Sequence, residues 1–243
     1  MKRFIVLGTC VFLLSLLAGI PSGSAAKFLP SGISASQFHG NIWHGSAAGL
    51  RVNNIELGTV QWQVKPACFF ALRLCAQIEQ QHDNLTSKFD IKLRDTIEMH
   101  NLVAEGNAMI LNSLLQRYGI TSSGEFKADL GKVSFSSNHV EQIEGQINFT
   151  PLVLNGVVRV HMGNVNSNFE SYEDHTRIVI DNNDGHLDLD GAIKVFENLT
   201  YHADMRLKQN ERSSEMISNG LKYVGNMQAD GSVRLDQKGR LTI

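Results

Sequence analysis

One stretch carries side chains spaced for metal chemistry: His186-x-Asp188-x-Asp190-Gly191, with Glu197 six residues on. Alternating oxygens ahead of a glycine and a distal glutamate are the ligand plan of a calcium loop. Here the first position is a histidine, which offers nitrogen, and the flanks alternate as strands do, so the pattern predicts an acidic hairpin and no metal site. A weak surface calcium contact, with oxygens added from Asn182 to Asp184, is the alternative. The nine histidines form no H-x-H or HExxH pair. His39 and His44 flank Trp43 without a third ligand nearby and read as strand-surface residues. Ser24-Ala25-Ala26-Lys27 matches S-x-x-K, but it lies in a segment with no pocket to lower the lysine pKa. Nucleophile-elbow, Walker and dinucleotide-glycine motifs are absent. The chain is therefore expected to hold no catalytic, cofactor-binding or metal-binding residues, and not to be an enzyme.

The cysteines offer one covalent candidate. Cys10 sits in an apolar run, which leaves Cys68 and Cys75 as the available pair. Across a chain reversal they bridge in an oxidising compartment if their Cα atoms come within about 7 Å; otherwise they are two small buried thiols. The N-terminus bears on the compartment. Met1-Lys2-Arg3 precedes the uncharged, largely apolar run Phe4 to Ile20, the layout of an export signal. The two cations place residues 1–3 in the cytoplasm and the remainder outside. A run of 17 residues is at the lower limit for a spanning helix and slightly long for a cleaved signal, and Ser24-Ala25-Ala26 also suits signal peptidase. Length alone leaves anchor and signal open. Residues 21–32, rich in Ser, Gly and Ala, read as a linker.

These elements stand on a chain of 243 residues, 42% hydrophobic and 19% charged, enough for one large all-β domain or two of about 100 residues. A formal net charge of -2 without runs of like charge gives no reason to expect nucleic acid. Beyond the linker, apolar and polar residues alternate. Val60, Trp62 and Val64 do so, as do Leu72, Leu74, Ala76 and Ile78, then Phe89, Ile91 and Leu93, Phe126, Ala128 and Leu130, and Tyr201, Ala203, Met205 and Leu207. Such strands predict mainly antiparallel sheet, curved or in a sandwich, with one wet face. Two short amphipathic helices interrupt it. Leu111, Leu114, Leu115 and Tyr118 end at Gly119; Ile217, Leu221 and Val224 follow Ser213 and Ser214 and end at Gly225. Gly40-Asn41-Ile42 recurs as Gly145-Gln146-Ile147, and Asp90-Ile91-Lys92-Leu93 as Asp204-Met205-Arg206-Leu207. Residues 33–243 thus read as one β-rich domain of two similar halves, about 33–137 and 138–243, or as sheets reusing a small vocabulary.

Both tryptophans fall in Gly40-Asn41-Ile42-Trp43-His44-Gly45-Ser46-Ala47 and Leu57-Gly58-Thr59-Val60-Gln61-Trp62-Gln63-Val64-Lys65-Pro66. Gly-x-x-Trp-x-Gly reads as a tight strand turn closed by a ring, which predicts Trp43 buried between Gly40 and Gly45. Behind a single apolar segment, this pattern resembles the Gly-Thr-Leu-Trp-x-Gly signature of the type II secretion system protein N family. The resemblance continues through Gly185-His186-Leu187-Asp188-Leu189-Asp190-Gly191, the strand to Leu207, a short helix and Asp230-Gly231-Ser232-Val233-Arg234-Leu235. Asn41 departs from the family's Thr, and Phe149 stands near a position where Trp is common. The resemblance implies an uncleaved inner-membrane anchor at Phe4–Ile20, a periplasmic domain, contacts with other secretion components, and no catalytic residues. It makes Gly40, Trp43, Gly45, Trp62, Gly185 and Gly191 structural motif positions and does not demand the cysteine pair. More distantly, one-sided amphipathic strands resemble the AsmA-like proteins, which implies lipid as the alternative partner.

Overall fold

The computed structural model describes residues 19–25, 32–52, 55–83, 85–94, 96–116, 119–136, 139–222 and 225–240. All of the Phe4–Ile20 run except Gly19 and Ile20 lies outside the described residues, as do Asn53-Asn54, Tyr118 and Val224. Among the described residues no helix is long and apolar enough to cross a membrane. The chain is all-β and antiparallel, in two compact units, Met1–Arg94 and Asp95–Ile243.

The N-terminal unit holds β1 (Ile33–Ser34), β2 (Gln37–Gly40), β3 (His44–Val52), β4 (Ile55–Val64), β5 (Leu74–His82) and β6 (Leu85–Leu93). Both β1 and β2 pair with β3, which continues through β4 and β5 to β6. The register places Gly45, Trp62, Ile78 and Phe89 opposite one another in a row. Residues directly opposite share a face, so this row is where the period-two pattern becomes packing. The expected strand start at Leu72 is not observed: Pro66–Ala71 form a 3-10 turn, and Leu72 is left-handed, with φ of 53°. Its N–H donates to the carbonyls of Cys68 and Phe69, so closing the turn overrides the alternation.

The C-terminal unit is an open sheet. It runs β7 (Ile97–Asn107), β8 (Thr121–Ser136), β9 (His139–Asn155), β10 (Arg159–Ser171), β11 (His175–Asn183), β12 (Leu187–Phe196), β13 (Thr200–Gln209), then β15 (Val233–Arg240) and the edge piece β14 (Asn226–Met227). Two adjacent rows show how the alternation is used. Ile180, Gly191, Met205 and Leu235 lie across one face, and Asp181, Asp190, Arg206 and Arg234 across the other.

Its core sits at the end of the sheet where β9 turns into β10 and β11 into β12. Ala108, Leu152, Met162 and Val165 form one buried cluster, with Leu111 and Phe149 against it. Leu187, Ile217, Leu221 and Val233 form a second. The two helical pieces cover this end. The first is a 3-10 turn, Ala108–Leu111, followed by one α-turn, Asn112–Leu115. The second, Glu215–Leu221, starts at Ser214, whose hydroxyl caps the Ile217 N–H at 3.3 Å. No second sheet lies over the apolar face of this unit among the described residues, so the open sheet, not the sandwich, is the architecture observed.

Candidate functional site

The signature turn is built on Gly40 and Asn41. Gly40 ends β2 at φ of +81°, and the Asn41 side-chain oxygen accepts the N–H groups of Trp43 (3.0 Å) and His44 (2.8 Å). This is an Asx turn, the work done by the residue that departs from the family's Thr. It delivers Gly45 into β3 opposite Trp62. A Cβ at Gly45 would lie 2.6 Å from the Trp62 ring and 2.8 Å from the carbonyl oxygens of His39 and Asn41. The indole N–H of Trp62 donates to the Ile42 carbonyl at 3.1 Å. The expectation for Trp43 is thereby corrected. The ring lying on Gly45 belongs to Trp62, because cross-strand register and not chain proximity selects the partner; Trp43 is half-buried and meets Phe69 edge-on at 5.8 Å.

Phe69 belongs to the loop after β4. Cys68 and Cys75 are disulfide-bonded there, with Cα atoms 5.8 Å apart, and the Lys65 N–H donates to the Cys75 carbonyl. Removing the bridge by Cys68→Ser with Cys75→Ser is expected to cost about 2–3 kcal/mol at most, because so short a loop holds little unfolded-state entropy. Denaturant titration of the double variant measures this. Thiol alkylation of the wild type should label no cysteine outside the Phe4–Ile20 run until reductant is added.

In the C-terminal unit, Gly185 is buried where a Cβ would lie 2.5 Å from the Met162 carbonyl oxygen. Asn182 locks the same corner. Its amide donates to the carbonyls of Met162 (2.6 Å) and Leu187 (2.8 Å), and its oxygen accepts the Leu189 N–H (2.7 Å). Gly191 lies across from Met205, whose sulfur would be 2.8 Å from a Cβ there. Asp188 accepts from the Asn210 amide at 2.7 Å, and Asp190 lies 3.9 Å from Arg206. Glu197 falls beyond the far end of β12, about 30 Å along an extended chain from Asp188, so the calcium-loop spacing does not converge. Among the described residues no group of three or more His, Cys, Asp or Glu could hold a metal.

Three features had little or no signal in local sequence. His161, near the start of β10, and His186, in the turn before β12, face each other with ring centroids 4.8 Å apart and planes tilted by 52°. Burial, then the His186 and Arg159 charges, hold His161 below the usual imidazole range. On the polar face, Arg234 grips Asp204 with two bonds of 2.8 and 2.7 Å, which holds the Asp204 carboxyl below the usual carboxylate range. Arg206 lies 3.7 Å from Asp230, whose carboxyl is lowered by hydrogen bonds from the Ser232 hydroxyl and N–H. These groups line a groove of about 810 Å³. Within it Asp190, Asp204 and Asp230 lie against Arg206 and Arg234, and the buried Ser232 hydroxyl is donated to a carboxylate, not to a base. The third feature is the apolar tip Phe69-Phe70-Ala71-Leu72, whose only trace in the sequence is four large apolar residues between two cysteines.

The family model described as type II secretion system protein N matches residues 31–236. Neither a curated protein nor a solved structure matches the chain.

Proposed function

Since the chain belongs to the type II secretion system protein N family, we propose that it is an accessory component that acts by protein–protein contact in the periplasm, held by an uncleaved Phe4–Ile20 anchor in the inner membrane. The observation that carries this reading is the extent of the family match, which takes in both the Trp43 turn and the Asp230-Gly231 module. The Lys2-Arg3 flank supports the orientation. A second reading, an AsmA-like groove that binds lipid, is favoured by one feature of the C-terminal unit. Away from the helical end, Ile147, Phe169, Ile178, Ile193 and Tyr201 are only half-buried on a face without a second sheet.

Deletion of the protein, followed by assay of secreted proteins in the medium, tests the proposal together with affinity capture of the full chain from crosslinked envelopes. Reduced secretion and capture of other secretion components are expected. Normal secretion with co-purifying phospholipid would replace it with the lipid reading. A mature N-terminus at Lys27, with the protein free in periplasmic extract, would remove the anchor.

A further inference from the structure

We propose that the disulfide-closed tip between Cys68 and Cys75 is a membrane-contact element, and that Phe69, Phe70 and Leu72 enter the headgroup–acyl boundary of the bilayer. This rests on the reading of Phe4–Ile20 as a membrane anchor.

The tip presents large apolar side chains to solvent. Phe70 is 96% and Leu72 84% exposed, with Phe69 and Leu74 also outward. Clustered exposure of this kind marks a contact surface. The tip cannot fold these side chains away. The disulfide joins its ends, the Pro66–Ala71 turn shapes it, and Leu72 is held left-handed, a conformation that costs a non-glycine residue energy. Trp43 packs edge-on against Phe69 from behind.

The location of the tip selects the bilayer as its occupant. The apolar run ends at Ile20, and the Ile20 carbonyl accepts the N–H of Ile42, the neighbour of Trp43, at 3.1 Å. Pro21 bridges Asn41, and the Ser22 hydroxyl donates to the Gly40 carbonyl at 3.1 Å. The chain therefore leaves the apolar run directly onto the turn whose tryptophan touches the tip. If the run spans the membrane, the tip lies at the surface where the run emerges. The chemistry agrees with that place. Residues 65–75 contain no acid; Lys65 is paired with Asp90, which leaves Arg73 at the base of the loop as the cation suited to anionic lipid headgroups. Tryptophan with an apolar body and a polar edge is the residue enriched at membrane–water interfaces.

The test places the photo-reactive amino acid p-benzoylphenylalanine at position 70 of the full-length protein in living cells, or at exposed Gln81 on the far end of β5 as control. After irradiation, adducts are identified by mass spectrometry, and membranes are extracted with alkaline carbonate in parallel. Phe70 is so exposed that its replacement leaves the fold intact, which alkylation of the Cys68–Cys75 pair verifies. Phospholipid adducts at 70 and none at 81 are expected. A protein adduct at 70 would make the tip a docking surface for a partner and overturn the proposal; so would no adduct, or lipid captured equally at both positions. The two readings fail separately. Protein that resists carbonate but captures no lipid at 70 keeps the anchor and loses the tip, whereas protein released by carbonate that still captures lipid at 70 loses the anchor and keeps the tip.

Discussion

Gly163→Ala is expected to destabilise the C-terminal unit by about 2–5 kcal/mol, the sum of a left-handed backbone imposed on alanine and a steric overlap that only backbone movement relieves. Gly163 stands at a bulge in the β9–β10 pairing, with φ of +72°. A Cβ there would collide with the Asn183 carbonyl oxygen and lie 2.5 Å from the Gly185 nitrogen. The three nearest atoms are all main chain, so no rotamer change makes room. They also belong to the corner that Asn182 ties to Met162, between the two buried clusters. Gly131→Ala is the control: its Cβ would meet nothing within 4 Å and its φ is not positive. Thermal unfolding followed by circular dichroism should show the first variant melting far below wild type and the second close to it. Equal melting temperatures would refute the account of this corner.

Trp62→Ala should cost more than Trp43→Ala, although the Gly-x-x-Trp-x-Gly spelling points to Trp43 as the enclosed ring. Removing Trp62 strips the ring from Gly45, breaks the row with Ile78 and Phe89, and leaves the Ile42 carbonyl without its indole donor. For a half-buried tryptophan with these contacts about 3 kcal/mol is expected, the lower end of the range for enclosed rings. Trp43, also half-buried, gives up among its contacts an edge-on one with Phe69, an arrangement worth about 0.5–1.5 kcal/mol beyond the area it buries. Trp62→Phe should recover the packing but not the hydrogen bond. Denaturant midpoints of the three variants decide the order. A larger loss for Trp43→Ala would return the ring on Gly45 to Trp43 and show the cross-strand assignment to be wrong.

The frame also explains how the family's motif positions can be structural without being reactive. Gly45, Gly185 and Gly191 each make room for a neighbour that a side chain would displace: an indole, a carbonyl and a thioether. The polar face meanwhile balances its charges, with Arg234 on Asp204 and Arg206 beside Asp190 and Asp230. Exposed pairs of this kind contribute little to stability. They keep the outer face soluble.

What the sequence determined by itself was the class of structure and where its elements punctuate. Period-two alternation in Phe126 to Leu130 or Tyr201 to Leu207 assigns each side chain to a face without reference to the rest of the chain, because strand geometry is local. Ser214 as a helix cap is legible for the same reason. Which residue stands opposite which was decided by the tertiary structure. Register depends on turn lengths and on bulges such as those flanking Gly163, and a one-residue slip moves every side chain to the other face. Trp62 therefore took the place beside Gly45 that proximity in the chain assigned to Trp43. The disulfide turned Leu72 out of an alternation it appeared to begin, because closing a short loop constrains the backbone more strongly than one leucine's preference for burial. The pairing of His161 with His186, the grip of Arg234 on Asp204, and the choice of an open sheet over a sandwich in the C-terminal unit all join residues distant in the chain. Alternation states that a strand has an apolar face; only the assembled sheet states what, if anything, covers it.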